Sequence, residues 1–105
     1  MRKTGPGALA VLLVTGMTAL AASPSEQRGR TFAIHNCANC HSISKVGPSP
    51  LAVAPPFRDL HHRYAVETLS EAFAEGIYTG HPTMPAFQLA PDQINDLMSF
   101  LKTLE

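Results

Sequence analysis

Both cysteines of this 105-residue chain lie in one short segment, HNCANCH, at positions 35–41. Two residues separate Cys37 from Cys40, and His41 follows the second cysteine directly. Two thiols and an imidazole within five consecutive positions can all reach one point in space. The fold must therefore be one that brings these side chains to each other or to a common partner.

Three chemistries use two cysteines at this spacing. A Cys-x-x-Cys pair can cycle between dithiol and disulfide, as in thioredoxin-like oxidoreductases. It can supply half of a zinc site, although structural zinc requires four ligands and usually a second close pair. The third possibility is covalent attachment of haem, in which the thiols add to the vinyl groups and the adjacent histidine binds the iron.

The N-terminal residues predict export. Met1-Arg2-Lys3 is basic, residues 8–20 form a short apolar run, and Ala19-Leu20-Ala21 ends in small residues. This order is typical of a cleaved secretory signal. We expect a signal peptide at 1–21, a single mature domain at 22–105 and a periplasmic location. The apolar run is short for a membrane span, so membrane association is expected only if the signal stays uncleaved.

The size and charge of the mature domain restrict its function. Without Arg2 and Lys3, six basic residues face eight acidic ones. A chain without a basic surface is not expected to bind nucleic acid. A domain this small buries a modest core and commonly needs a metal, disulfide or cofactor for stability. A large apolar cofactor would contribute more buried area than one short disulfide loop, which favours haem.

Helical patterns account for most of the mature chain. Ser23 and Glu26 form a capping box with Pro24 at the first helical position, and the helix they begin continues to Cys37. Residues 66–75 and 91–104 carry apolar side chains at helical spacing. Residues 44–58 are rich in proline and glycine and predict an ordered loop. No stretch has the strand pattern of a thioredoxin fold, so the predicted class is all-α.

One helical glycine and one loop methionine stand out. Gly29 inside a helix costs about 1 kcal/mol relative to alanine, which suggests close approach of a second helix. Met84 lies in a loop stiffened by Pro82 and Pro85, which can hold a thioether at a defined place. His81 is the alternative ligand in that loop. Met98 lies on the apolar stripe of the last helix and is predicted to belong to the core.

In this order, the Cys37–His41 motif after the first helix, the proline-rich loop, the Met84-Pro85 loop and the closing amphipathic helix resemble a small bacterial class I cytochrome c. The resemblance covers the whole mature chain. It implies the cytochrome c fold, with about three to four helices and long loops around one covalently bound haem. The implied function is transfer of single electrons, without enzymatic turnover.

The resemblance also implies roles for individual residues. Cys37 and Cys40 would form thioethers with haem c, and His41 and Met84 would be the axial iron ligands. A downstream proline carbonyl would accept a hydrogen bond from His41, and Pro50 is preferred over Pro48 for this role.

Donors for the haem propionates and the partners follow less directly from the sequence. Arg58 and Tyr64 are candidate propionate donors. His61 and His62 lack a carboxylate or cysteine cluster that would complete a metal site, so both are predicted at the surface. The expected partners are redox proteins in transient contact with a monomer. The alternatives are a haem subunit of a larger oxidoreductase complex, and a haem sensor or enzyme with an open sixth position.

Overall fold

The computed structural model describes residues 5, 7, 21–77 and 83–105. The predicted signal peptide at 1–21 lies almost entirely outside the described residues, and so does His81. The predicted cleavage site and the alternative ligand His81 therefore both remain predictions.

Four helices and one 3₁₀ turn make up the regular structure of the described residues. In chain order they are α1 (Pro24–Asn36), the 3₁₀ turn (Phe57–Asp59), α2 (Leu60–Arg63), α3 (Val66–Glu75) and α4 (Pro91–Lys102). The described ranges contain no strand, only an isolated antiparallel bridge between Ile77 and Phe87. The all-α prediction is confirmed.

Helix α1 begins at the predicted capping box. The backbone N–H of Glu26 donates to Ser23 Oγ at 3.2 Å, and the backbone N–H of Ser23 donates to Glu26 Oε2 at 3.2 Å. These bonds satisfy donors that a helix N-terminus otherwise leaves unpaired. Pro24, which has no N–H to leave unpaired, occupies the first turn. Local chemistry thus sets the point from which the helix extends towards Cys37.

Gly29 lies at the crossing of α1 and α4, which pack against each other. A β-carbon at this position would overlap the Asp96 carbonyl group and would lie 2.8 Å from Phe100 Cβ. The two backbones can approach this closely only because residue 29 has no side chain. The predicted reason for a glycine inside α1 is confirmed.

The core lies between α1, α3 and α4. Ala33 on α1 and Leu97 on α4 are fully buried, and Leu69 and Phe73 cover them from α3. Met98 is only 5% exposed, which confirms it as a core residue. The amphipathic patterns of α3 and α4 therefore pointed to the correct faces.

The loop predicted at 44–58 ends earlier than expected. Phe57 and Arg58 belong to the 3₁₀ turn, and α2 follows it without a break. Residues 57–63 span less than two helical turns, too few for a hydrophobic period to appear in the sequence. Gly76 follows α3 with a φ of 105°, a backbone conformation that favours glycine.

Candidate functional site

The Cys-x-x-Cys-His segment folds into tight turns at the C-terminal end of α1. The Cys37 N–H donates to the Ala33 carbonyl at 2.8 Å, which continues the helical pattern into the motif. The N–H groups of Cys40 and His41 both donate to the Cys37 carbonyl, at 3.1 and 2.9 Å. These turns bring the side chains of Cys37, Cys40 and His41 to the wall of one cavity.

The cavity has a volume of about 570 Å³ and is formed by α1, α2, α3, α4 and the loops that connect them. Its volume falls in the usual range for small-molecule and cofactor sites. Aliphatic and aromatic side chains make up most of the lining. The larger apolar members are Phe32, Leu51, Leu60, Leu69, Phe73, Ile77, Phe87, Leu97 and Leu101. The site is thus an apolar chamber with thiols and an imidazole on one wall.

His41 is oriented by a backbone acceptor. Its Nδ1 lies 2.7 Å from the Pro55 carbonyl oxygen, and its ring centroid lies 5.1 Å from that of Phe57. A carbonyl can only accept, so Nδ1 carries the hydrogen and Nε2 keeps a free lone pair. That is the tautomer a metal-binding imidazole needs, with the second nitrogen fixed by its partner.

The acceptor residue corrects one prediction from the sequence. The preferred proline was Pro50 and its alternative Pro48, but the carbonyl that meets His41 belongs to Pro55. The Phe57 N–H donates to the Ser42 carbonyl at 2.9 Å, which brings the backbone around Pro55 back against the residue next to His41. The acceptor therefore comes from a later position in the same proline-rich loop than predicted.

Arg58 holds this loop and does not line the cavity. Its Nη1 donates to Ser42 Oγ and to the Ser44 carbonyl, both at 3.3 Å. The Ser42 N–H in turn donates to Ser49 Oγ at 3.0 Å. These bonds keep the segment after His41 close to the segment that contains Pro55. The structure therefore does not place Arg58 where a haem propionate donor was predicted.

Met84 lines the same cavity as His41 and is half-buried. Pro85, which follows it, also contributes to the wall, as expected of a loop that presents one side chain at a fixed place. The only other methionine of the predicted mature domain, Met98, lies in the core. The two methionines thus occupy the different environments that the sequence predicted for them.

The environment of Cys37 does not favour a thiol redox function. Burial, and next the neighbouring Cys40, raise the pKa of the Cys37 thiol to about 11. Reactive cysteines in Cys-x-x-Cys oxidoreductases have a lowered pKa, because the thiolate is the nucleophile. A thiol that stays protonated at neutral pH therefore does not support the thiol oxidoreductase hypothesis.

The histidine pair matches its prediction only in part. His62 is exposed as predicted, whereas His61 is half-buried and its Nδ1 is a buried atom without a hydrogen-bond partner. The two rings lie 3.9 Å apart between centroids.

In the part of the chain that the structure describes, no group of three or more His, Cys, Asp or Glu side chains could hold another metal ion. Within that part, too, no helix is long and apolar enough to cross a membrane.

The fold and the cavity define a class of protein: an all-α domain with an apolar, cofactor-sized cavity whose wall carries two cysteines and a histidine. Comparison with protein-family models matches the chain to Cytochrome c over residues 26–105. The chain belongs to the cytochrome c family. No curated protein and no solved structure matched it.

Family membership establishes the cofactor as one covalently attached haem c, and the residues present fit that group. Cys37 and Cys40 have the spacing that thioether bonds to the two vinyl groups require. The chamber beside them is apolar, as the faces of a porphyrin need, and His41 lines it with Nδ1 bonded to the Pro55 carbonyl, which leaves Nε2 as the nitrogen available to the iron. The protein is a haem c electron-transfer protein.

Proposed function

We propose that this protein is an exported, periplasmic carrier of single electrons in which His41 and Met84 are the two axial ligands of the haem iron. The observation that carries the proposal is the presence of both side chains in the wall of one apolar cavity, with His41 held by Pro55. Neutral imidazole and thioether together favour ferrous iron and raise its potential.

The chain's own residues suit a carrier that changes little between oxidation states. When bound, haem c supplies an iron that cycles between Fe(III) and Fe(II). The apolar lining excludes water from the cavity, and the Pro55 carbonyl keeps the His41 ring in one orientation. Two filled axial positions leave no site for a substrate on the iron. Such a centre can pass an electron but does not bind or transform a ligand.

The proposed location and partners rest on the sequence. The basic, apolar and small-residue order of positions 1–21 supports export to the periplasm. The slight acidic excess of the remaining chain gives no support to nucleic-acid binding. We infer a monomer that meets other redox proteins through small, transient contacts. A haem subunit of a larger complex is the alternative assembly.

The first experiment is the visible spectrum of protein made with a haem-attachment system, compared with Met84→Ala. We expect a covalently bound, low-spin haem in the wild type, with a charge-transfer band from sulfur to ferric iron. That band should disappear in Met84→Ala because the thioether is gone. Met98→Leu is the matched control: it removes a buried methionine at nearly constant volume and should leave the band unchanged.

Other outcomes would point to other functions. A high-spin wild-type spectrum that Met84→Ala does not alter would remove Met84 from the iron and indicate a sensor or enzyme with an open sixth position. A low-spin spectrum insensitive to Met84 would indicate a different distal ligand. Stable co-purification with a larger oxidoreductase would favour the subunit alternative.

A further inference from the structure

We propose that Gln88 is a positioning residue for Met84: its side chain ties the segment after Met84 to the C-terminal end of α3 and so keeps the thioether in the cavity wall. The inference rests on the proposed ligation of the haem iron by His41 and Met84. It adds to that ligation the contact that holds Met84 in place, as the Pro55 carbonyl holds His41.

The position of Met84 depends on its own backbone. A thioether has no donor and is a weak acceptor, so it lacks the kind of hydrogen bond that orients His41. Phe87 follows Met84 by three residues. Three residues span at most about 11 Å, and Pro85 within that span has a fixed φ. Where Met84 lies is therefore largely determined by where Phe87 is held.

Residues 87–89 are hydrogen-bonded to the end of α3 and to the residue beyond its cap. The Ile77 N–H donates to the Phe87 carbonyl at 2.9 Å, and the Leu89 N–H donates to the Phe73 carbonyl at 2.9 Å. Carbonyls in the last turn of a helix lack partners within the helix, and this segment supplies one. The side chains of Phe87 and Leu89 also pack against the core. The segment after the ligand is thus attached to α3.

Gln88 adds a side-chain bond to this attachment. Its Nε2 donates to the Ala74 carbonyl at 3.2 Å, next to the Phe73 carbonyl that Leu89 uses. Helix α3 is itself fixed, because Leu69 and Phe73 are buried in the core. Gln88 is exposed, so a substitution there removes the bond without disturbing packing. The attachment can therefore be weakened at this one position while its backbone bonds remain.

A weaker attachment should release Met84 more often without unfolding the protein. Exposed segments with few buried contacts open locally at a lower free energy than the core. The exposed positions near the ligand are Thr83, Pro85, Ala86 and Gln88. Each opening takes the thioether away from the iron, and each closing returns it. Loss of one hydrogen bond should raise the population of the open form by about two- to tenfold.

The test is the rate at which cyanide binds to the ferric, haem-loaded protein. The cyanide anion takes the position that Met84 leaves: an iron–sulfur bond breaks, an iron–carbon bond forms and no electron is transferred. In Gln88→Glu, which keeps the size of the side chain but removes the donor, the rate constant should rise by about two- to tenfold. Gln88→Lys supplies a donor again at a helix C-terminus, where a cation is favoured, and should come within about twofold of the wild type.

Gln27→Glu is the matched control. Gln27 is also exposed and donates through Nε2 to a backbone carbonyl, that of Ala22 at 2.9 Å, but it lies on α1 and does not line the cavity. Its substitution should leave the cyanide rate unchanged. Denaturant unfolding of every variant measures global stability. A residue that only stabilised the fold would change unfolding and leave the cyanide rate as it is in the wild type.

Three results would overturn the role of Gln88. They are an unchanged cyanide rate in Gln88→Glu, an equal rise in Gln27→Glu, and a rate in Gln88→Lys as high as in Gln88→Glu. If Gln88→Glu does not accumulate with haem, Gln88→Ala replaces it with the same expectation.

The sulfur-to-iron band, recorded on the same samples, separates two kinds of failure. A wild type without the band contradicts the ligation by Met84 and the role of Gln88 together. A wild type that has the band, with an unchanged cyanide rate in Gln88→Glu, contradicts the role of Gln88 alone.

Discussion

At the scale of single residues, position 29 requires glycine. Any side chain there would overlap the Asp96 carbonyl group of α4, which is backbone and cannot rotate away. Relief would require the helices to separate, and the buried contacts of Ala33 and Leu97 lie on the same interface. The missing side chain at 29 thus sets the distance between the first and last helices.

Gly29→Ala should therefore destabilise the protein, although the same change raises intrinsic helix propensity by about 1 kcal/mol. We expect a loss of about 3 kcal/mol, the upper end for overpacking, because the clash is with backbone. Thermal or denaturant unfolding of the haem-loaded protein measures it. Arg30→Ala, at the exposed neighbouring position, should change stability by at most about 0.5 kcal/mol. A neutral or stabilising Gly29→Ala would mean that the helices are not in such close contact.

At the scale of elements, polar side chains hold α1 and α4 in register beside the glycine crossing. Arg28 Nε and Nη2 donate to the two oxygens of Asp96 at 2.9 and 3.1 Å, and Ser25 Oγ donates to Asp96 Oδ1 at 2.8 Å. The hydrogen bond from Arg28, and next the one from Ser25, lower the pKa of the Asp96 carboxyl. The Arg28 side chain is 62% exposed, so solvent screens the ion pair.

The direction of that shift predicts an acid-dependent contribution to stability. A carboxyl whose pKa is lowered by folding stabilises the native state above its ordinary pKa, and the contribution is lost as pH falls through the folded value. Asp96→Asn should lower the melting temperature at neutral pH, and the difference from wild type should narrow in acid. Glu71→Gln, on the exposed face of α3, should show no such trend. A difference independent of pH would mean that Asp96 acts without its charge.

The helices show which elements could be predicted from sequence patterns and which could not. The sequence predicted α1, α3 and α4 because each spans several turns, carries an apolar stripe and has a recognisable end. The region at 57–63 was missed because it is short and follows a run of prolines. Its omission mattered for the site, since Phe57, Leu60 and Arg63 of this region line the cavity. Short helices are positioned by tertiary contacts, which no local pattern records.

At the scale of the whole molecule, the cofactor is a structural part of the core. The cavity of about 570 Å³ is lined by residues that also form the core, among them Leu69, Phe73, Leu97 and Leu101. Haem bound in this cavity would cover those apolar side chains, and burial of apolar surface contributes about 25 cal/mol per Å². The entire stability of a small domain is about 5–15 kcal/mol.

The chain made without haem should consequently fail to hold this fold. We expect Cys37→Ser/Cys40→Ser, expressed without attached haem, to lose most of its helical circular dichroism and its cooperative unfolding transition. The haem-loaded wild type under the same conditions is the control. A haem-free chain with full helicity and a sharp transition would show that the side chains alone suffice.

The site illustrates which features a sequence can and cannot reveal. Cys37, Cys40 and His41 could be singled out as candidates because haem attachment uses two cysteines at this spacing followed by a histidine. Met84 was singled out by the prolines near it and then found in the cavity wall. Pro55 was missed because its role belongs to a carbonyl, a group that every residue carries. Which carbonyl meets His41 depends on the path of the loop and not on residue type.

The Pro55 carbonyl affects which mutations can disturb His41 during evolution. A point mutation at position 55 replaces a side chain but leaves an oxygen on the main chain, so no single exchange of one amino acid for another deletes the acceptor. An insertion or deletion between Ser42 and Pro55, by contrast, displaces the oxygen from His41 even if all other residues are unchanged. The orientation of the His41 ring thus depends on the length of the loop between Ser42 and Pro55.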